Sequence, residues 1–145
     1  MNKISAAVWG APDVTHYGTA KGGVFGLTRN LAVAGAERGI AVNAIAPAAS
    51  TRMTDATAAS VDPEVVEAMR QTMPAELVAP VALYLAHPAC RSTGETLRAS
   101  GGRVSRLAVV GSRGTGDPQL TPESLVAGLD DLLDLSDGEV VPLQG

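Results

Sequence analysis

Tyr17 and Lys21 stand four residues apart in the run YGTAKGGVFGLTRNLAVAGAERG, residues 17–39. On a helix, residues at that spacing project from one face. A lysine ammonium beside a phenol favours the phenolate. Such a pair can act as general acid and base on a hydroxyl or carbonyl oxygen. The spacing alone equally fits an ordinary half-exposed helical pair, and both readings stand at this level.

Other reactive residue types offer less. His16 adjoins Tyr17 and reads as half-exposed, with substrate contact as the alternative. His87 precedes Pro88 and reads as a partner for a helix C-terminus. Cys90 has no basic neighbour in sequence and reads as a small buried residue rather than a reactive thiol. VVGSRGTG, residues 109–116, is followed by Asp117-Pro118 instead of a helix start, so it reads as a surface turn and not a phosphate loop. The sequence contains no G-x-S-x-G elbow on which to build a hydrolase, and its 2 histidines lack metal-ligand spacing. Asp130, Asp131 and Asp134 read as the solvated face of a final helix.

The Tyr17–Lys21 pair needs a long helix beneath it. Ala20, Val24, Leu27, Leu31 and Ala34 recur three or four apart, which predicts a helix from about His16 to about Glu37 with that stripe buried. Asp13 or Thr15 is expected to cap it. Gly18, Gly22, Gly23, Gly26 and Gly35 each cost ~1 kcal/mol relative to alanine, so close packing against a neighbour is expected. Gly39 then supplies the stop. IAVNAIAP, residues 40–47, is a short apolar run between Gly and Pro and reads as a buried strand. A helix followed by a buried strand places the chain in the α/β class.

Residues 48–60 read as a small-residue loop. Asp62-Pro63-Glu64 opens a helix to about Met73. Pro74 begins another that turns Leu77, Val81 and Leu85 inward, with Pro80 kinking it or starting its second half. Strands are expected at Glu95–Ala99 and Val104–Val110 around the Gly101-Gly102 turn, with a stub at Lys3–Val8. Thr121-Pro122 opens an amphipathic helix to about Leu135, and the last ten residues read as loop. So few strands leave a long open edge. The sequence reads as part of a domain.

Composition bounds the partners. The 145 residues are 46% hydrophobic, 18% charged and 3% aromatic, so a core must come from Ala, Val, Leu and Ile. Those fractions describe a globular chain, neither disordered nor fibrous. The net charge of −4 argues against a nucleic-acid binder and against a polybasic membrane anchor. A single cysteine excludes an internal disulfide. No apolar run approaches the ~18 residues of a membrane span, and a cytoplasmic location is expected.

The run from Tyr17 to Pro47 resembles the active-site helix and following strand of the short-chain dehydrogenase/reductase family. APAASTRMT, residues 46–54, is similar to the loop after that strand. PAELVAPVALYLAHPAC, residues 74–90, and TGETLRASGGRVSRL, residues 93–107, look like its C-terminal portion. Within the family, the likeness is to the branch with the (3R)-hydroxyacyl-CoA dehydrogenase region of multifunctional enzyme type 2 and its bacterial relatives. It covers about Ser5 to Leu135.

The resemblance implies a fold, an activity and a set of roles. The fold would be a partial Rossmann-like, doubly wound parallel sheet lacking its N-terminal dinucleotide-binding half. Residues 1–112 would be the C-terminal half of that domain, and residues 113–145 an extension with one amphipathic helix. Tyr17 would exchange the proton at the substrate oxygen, and Lys21 would support it and bind the nicotinamide ribose. Pro47 and Thr51 would lie along the nicotinamide and pyrophosphate end of NAD or NADP. The family's serine stands thirteen residues before its tyrosine. That position is Ile4 here, and Ser5 takes the role if one residue is deleted before Trp9. No metal is implied.

The substrate would be an alcohol, ketone or acyl-CoA, with a 3-hydroxyacyl-CoA the leading expectation. The Tyr17–Glu37 helix would join copies into a homo-oligomer. The family's glycine-rich turn, which binds the pyrophosphate, has no counterpart, so the chain alone is expected to be inactive. The alternative is a non-catalytic remnant that serves as a dimerisation or interaction subunit.

Overall fold

The computed structural model describes Gly10, residues 14–52 and residues 61–144. The expected Lys3–Val8 stub, Ser5 and Asp13 lie outside the described residues. The chain forms two compact units, residues 1–107 and 108–144.

In the first unit, α1 runs Thr15–Gly35 and tightens into a 3-10 turn at Ala36–Arg38. Val14 holds the N-cap position and makes no side-chain cap bond, so Thr15 starts the helix and does not cap it. Gly39 ends the turn at φ 65°, the left-handed region that glycine enters without a Cβ clash. The chain then doubles back tightly. Ile40 N–H donates to Gly35 O at 3.0 Å, and a Cβ on Gly35 would lie 2.9 Å from the Ile40 carbonyl oxygen.

β1 covers Ala44–Ala48. The expected strand began at Ile40, and the difference lies in the partner segment. There Gly94 turns at φ 73°, its N–H donates to Val42 O at 2.6 Å, and side chains supplement the backbone bonds. Val42 N–H donates to Thr93 Oγ1 at 3.1 Å. Asn43 Nδ2 donates to Ser92 O at 2.8 Å, and its Oδ1 accepts from Glu95 N–H at 3.2 Å.

α2 spans Pro63–Thr72, with Asp62 accepting from Glu64 N–H at 2.9 Å as N-cap and proline in its first turn. After a 3-10 turn at Ala75–Leu77, α3 spans Ala79–Ala86 and has Pro80 in its first turn. Pro80 therefore begins the second half of that region. Of the expected inward stripe, Val81 is buried, Leu85 half-buried and Leu77 exposed.

β2 is Thr96–Ser100 and β3 is Arg103–Leu107. Gly101 and Gly102 both adopt positive φ in the hairpin between them. The sheet order is β1-β2-β3. β1 and β2 are parallel, registered from Ala44↔Thr96 to Ala48↔Ser100. β3 pairs antiparallel with β2 and stops at Leu107 because its partner begins there, at Thr96. The α/β class and the parallel pair match the expectation, and β3 adds an antiparallel edge. Residues Arg103–Arg106 of that edge are all exposed.

The buried face of α1 is not the expected one. Thr28, Ala32 and Gly35 are buried, whereas Val24, Leu27 and Leu31 are 46%, 56% and 46% exposed. α1 rests against β1, whose buried residues are Ala46 and Ala48. Small residues therefore face small residues, which lets the helix approach the sheet. Gly35 is closely packed, against the returning chain at Ile40. A Cβ on Gly22, Gly23 or Gly26 would meet nothing within 4 Å.

In the second unit, β4 (Val110–Gly111) pairs antiparallel with β5 (Glu139–Val140). The tail expected to be loop thus contributes a strand. Thr121 and Ser124 form a reciprocal capping box at the start of α4, Pro122–Ala127. The expected single helix breaks at Gly128, a poor helix former, and resumes as α5, Leu129–Leu133.

Candidate active site

Gly18 N–H donates to Val14 O at 2.8 Å, closing the turn that carries Tyr17. One turn on, Lys21 Nζ lies over the Tyr17 ring, 5.4 Å from its centroid. That is within the reach of a cation–π attraction. Tyr17 is half-buried, while Lys21 and the neighbouring His16 are exposed. The structure therefore brings together the two residues whose spacing suggested acid–base chemistry.

Pro47 lies near the end of β1, half-buried and registered with Ala99 of β2. Thr51 follows three residues past that strand. It lines an open cleft of about 260 Å³ with Ser50, Arg52, Arg70 and the Pro74–Glu76 turn. Ser50 N–H donates to Met73 O at 2.7 Å, and Ser50 bridges Pro74 in parallel. These contacts hold the end of α2 beside the end of β1. Pro47 and Thr51 thus share the carboxyl end of a parallel strand, where open α/β sheets bind their ligands. Ser5, the third expected catalytic residue, lies outside the described residues. Sequence reading missed Arg52 and Arg70, which α2 and its flanks separate along the chain and the fold returns to one cleft.

Two further residues have defined settings. His87 is the C-cap of α3 through its backbone N–H to Tyr84 O, while its Nδ1 accepts from Ala89 N–H at 3.1 Å, beyond the helix, instead of its side chain serving the helix's last carbonyls. Cys90 is half-buried, with Sγ 3.2 Å from Ser92 Oγ. Hydrogen bonds from the Ser92 side chain, then its backbone, lower the thiol below its ordinary range. Among the described residues, no three His, Cys, Asp or Glu side chains converge as a metal site, and no helix is long and apolar enough to cross a membrane.

The donor set suits one end of a dinucleotide. Lys21 offers a cation beside a phenol, and Thr51 offers a hydroxyl beside two arginines at the strand end. No helix follows the Gly111–Gly116 run before Pro122, so it lacks the turn-to-helix geometry of a phosphate loop.

A family model described as Enoyl-(Acyl carrier protein) reductase matches residues 2–103. The chain belongs to the short-chain dehydrogenase/reductase family. A putative short-chain type dehydrogenase/reductase of Mycobacterium tuberculosis is 34% identical over 137 residues, covering 94% of this chain and 46% of that protein. Peroxisomal multifunctional enzyme type 2 of Mus musculus is 31% identical over 144 residues, covering 94% of this chain and 18% of that protein. Full-length peroxisomal multifunctional enzyme type 2 of Drosophila melanogaster superposes with a TM-score of 0.74 at 24% identity, over 95% of this chain and 24% of that structure. That last likeness shows a shared fold. This short-chain dehydrogenase/reductase spans less than half the length of each of the three. Its family is one of oxidoreductases.

Proposed function

We propose that this chain carries the proton-transfer half of an NAD(P)-dependent dehydrogenase. Its reaction is the reversible oxidation of a secondary alcohol, with a 3-hydroxyacyl thioester as the substrate class. The single observation that carries the reading is Lys21 Nζ over the Tyr17 ring at 5.4 Å, within the stretch 2–103 that a family model of oxidoreductases matches. Tyr17 takes the proton from the substrate hydroxyl in oxidation and returns it to the carbonyl oxygen in reduction. Lys21 holds its ammonium over the Tyr17 ring and offers it to the nicotinamide ribose. Pro47 and Thr51 border the site at the end of β1. When bound, NAD(P) supplies the hydride acceptor or donor. Ser5 would hold the substrate oxygen.

Holding both reactants in register supplies much of such a rate, and that requires a glycine-rich dinucleotide cradle. The 145-residue chain by itself is therefore expected to show no turnover, and an ordinary enzyme rate from it would overturn that expectation. The decisive test joins the N-terminal half of the Mycobacterium tuberculosis relative to this chain and assays a 3-hydroxyacyl-CoA with NAD and with NADP. Turnover is expected, with a loss of about 100-fold or more in Tyr17→Phe. A folded chimera that binds the dinucleotide but turns nothing over, or is indifferent to Tyr17→Phe, overturns the reading.

The second reading is an interaction subunit, favoured by the exposed α1 stripe of Val24, Leu27 and Leu31. As a non-catalytic subunit, it differs from the first in assigning the chain no turnover. In both, the Tyr17–Glu37 region joins two copies of the chain. The cytoplasmic expectation is kept as part of this proposal and is tested by cell fractionation.

A further inference from the structure

No residue of α2 is buried, so side-chain packing does little to fix where the helix lies. Backbone contacts fix its end instead. Met73 N–H donates to Met69 O at 2.9 Å, and Met73 O accepts from Ser50 N–H at 2.7 Å. Ser50 also bridges Pro74 in parallel. The Thr72–Met73 peptide is thereby tied to its own helix and, through the next carbonyl, to the segment that follows β1.

The β2–β3 hairpin reaches the same peptide. Gly101 and Gly102 form its tip at φ 51° and 75°, a region where a Cβ is unwelcome. The two glycines differ in what surrounds them. A Cβ on Gly101 would lie 3.1 Å from Thr72 O and 3.7 Å from Met73 Cγ. One on Gly102 would meet Leu77 Cδ1 at 3.9 Å, an ordinary contact with the end of a flexible side chain. Backbone conformation therefore calls for glycine at both positions, and the approach to α2 calls for it at Gly101. A carbonyl in a hydrogen-bonded peptide cannot turn aside as a side chain does. A methyl added at Gly101 must push the hairpin tip and the helix end apart.

We propose that Gly101 is a positioning residue for the site at the end of β1. Its bare Cα lets the hairpin tip seat against the end of α2. Through Met73 O and Ser50 N–H, that seat sets where Ser50 and Thr51 lie beyond the strand. The proposal rests on the dehydrogenase reading given above, in which Thr51 borders the cofactor. It gives the hairpin a part in holding the dinucleotide and none in proton transfer, which belongs to Tyr17 and Lys21 on α1.

The test compares Gly101→Ala with Gly102→Ala, which carry similar backbone strain and differ in the contact with Thr72 O. In the 145-residue chain the reporter is the Ser50 amide, followed by hydrogen exchange in NMR spectra. Gly101→Ala is expected to speed its exchange by about tenfold relative to Gly102→Ala, with the amides of Ala32 and Gly35 unchanged. Asparagine tolerates the left-handed region better than alanine, so Gly101→Asn beside Gly102→Asn repeats the comparison at lower strain. In the chimera described above, Gly101→Ala is expected to raise KM for NAD by about tenfold and to leave kcat within about twofold, with Gly102→Ala near the parent in both. Equal Ser50 exchange in the paired variants overturns the proposal. So does a KM that both substitutions change alike, or a Gly101→Ala variant that loses kcat at unchanged KM. An inactive parent chimera overturns the dehydrogenase reading, while Ser50 exchange, which needs no turnover, still decides the seat at Gly101.

Discussion

A methyl group added at Gly35 would sit 2.9 Å from the Ile40 carbonyl oxygen, whereas one added at Gly22 would meet nothing within 4 Å. The first contact is with backbone, held by the Ile40 N–H to Gly35 O hydrogen bond, so it cannot swing aside. Gly35→Ala is therefore expected to destabilise the chain by about 1–3 kcal/mol. Gly22→Ala is expected to stabilise it by up to ~1 kcal/mol, because alanine loses less backbone entropy in a helix. Urea unfolding of the two variants beside the parent checks both signs. Sequence reading gave these glycines one shared meaning, since composition cannot tell which side of a helix has a neighbour. Tyr17 and Lys21 were legible for the opposite reason. Their meeting depends only on helical geometry over four residues, and the structure has Nζ over the ring. Arg52 and Arg70 were not legible, because their approach depends on a long-range backbone contact between Ser50 and Met73.

Asn43 shows how an element boundary is set by one polar side chain. It stands in an apolar run that periodicity extends back to Ile40, yet β1 begins at Ala44. Its amide reaches across to the partner segment around Gly94, donating to Ser92 O at 2.8 Å and accepting from Glu95 N–H at 3.2 Å. This half-buried clasp aligns β2 with β1, and with it the strand end that carries Pro47. Asn43→Ala leaves both backbone groups without that partner and is expected to cost about 1–3 kcal/mol. Asn43→Asp retains the acceptor and loses the donor, so its cost is expected to fall between the parent and the alanine variant. Chemical denaturation of the three proteins gives the order. The helices were the more legible elements because their signals are local, as at Asp62-Pro63 and Gly39. The short β4–β5 pair was not, since two residues per strand leave no period to detect.

Across the whole chain, the buried apolar residues among those described are Ala32, Ala46, Ala48, Val81 and Ala99, of which four are alanines. Alanine burial contributes little, and burying a valine or leucine would add ~1.5–3 kcal/mol each. Those larger side chains are present on α1 but stand outside the fold, as Val24, Leu27 and Leu31. A two-fold pairing would set each stripe against its own copy, the self-complementary arrangement that closed dimers use. The periodicity of the sequence picked out the stripe but predicted it buried within the fold, whereas it is exposed. What it did not show is that the cover is absent from the single chain's own sheet, whose contact is made by Thr28, Ala32 and Gly35. Light scattering is therefore expected to give the mass of a dimer, with a melting midpoint that rises with protein concentration. Leu27→Glu places a carboxylate in the middle of the stripe without touching the buried face. It is expected to yield a monomer that keeps its helical circular dichroism and melts at a concentration-independent midpoint. A monomeric parent chain would remove the interface and leave the α1 stripe without a role in assembly.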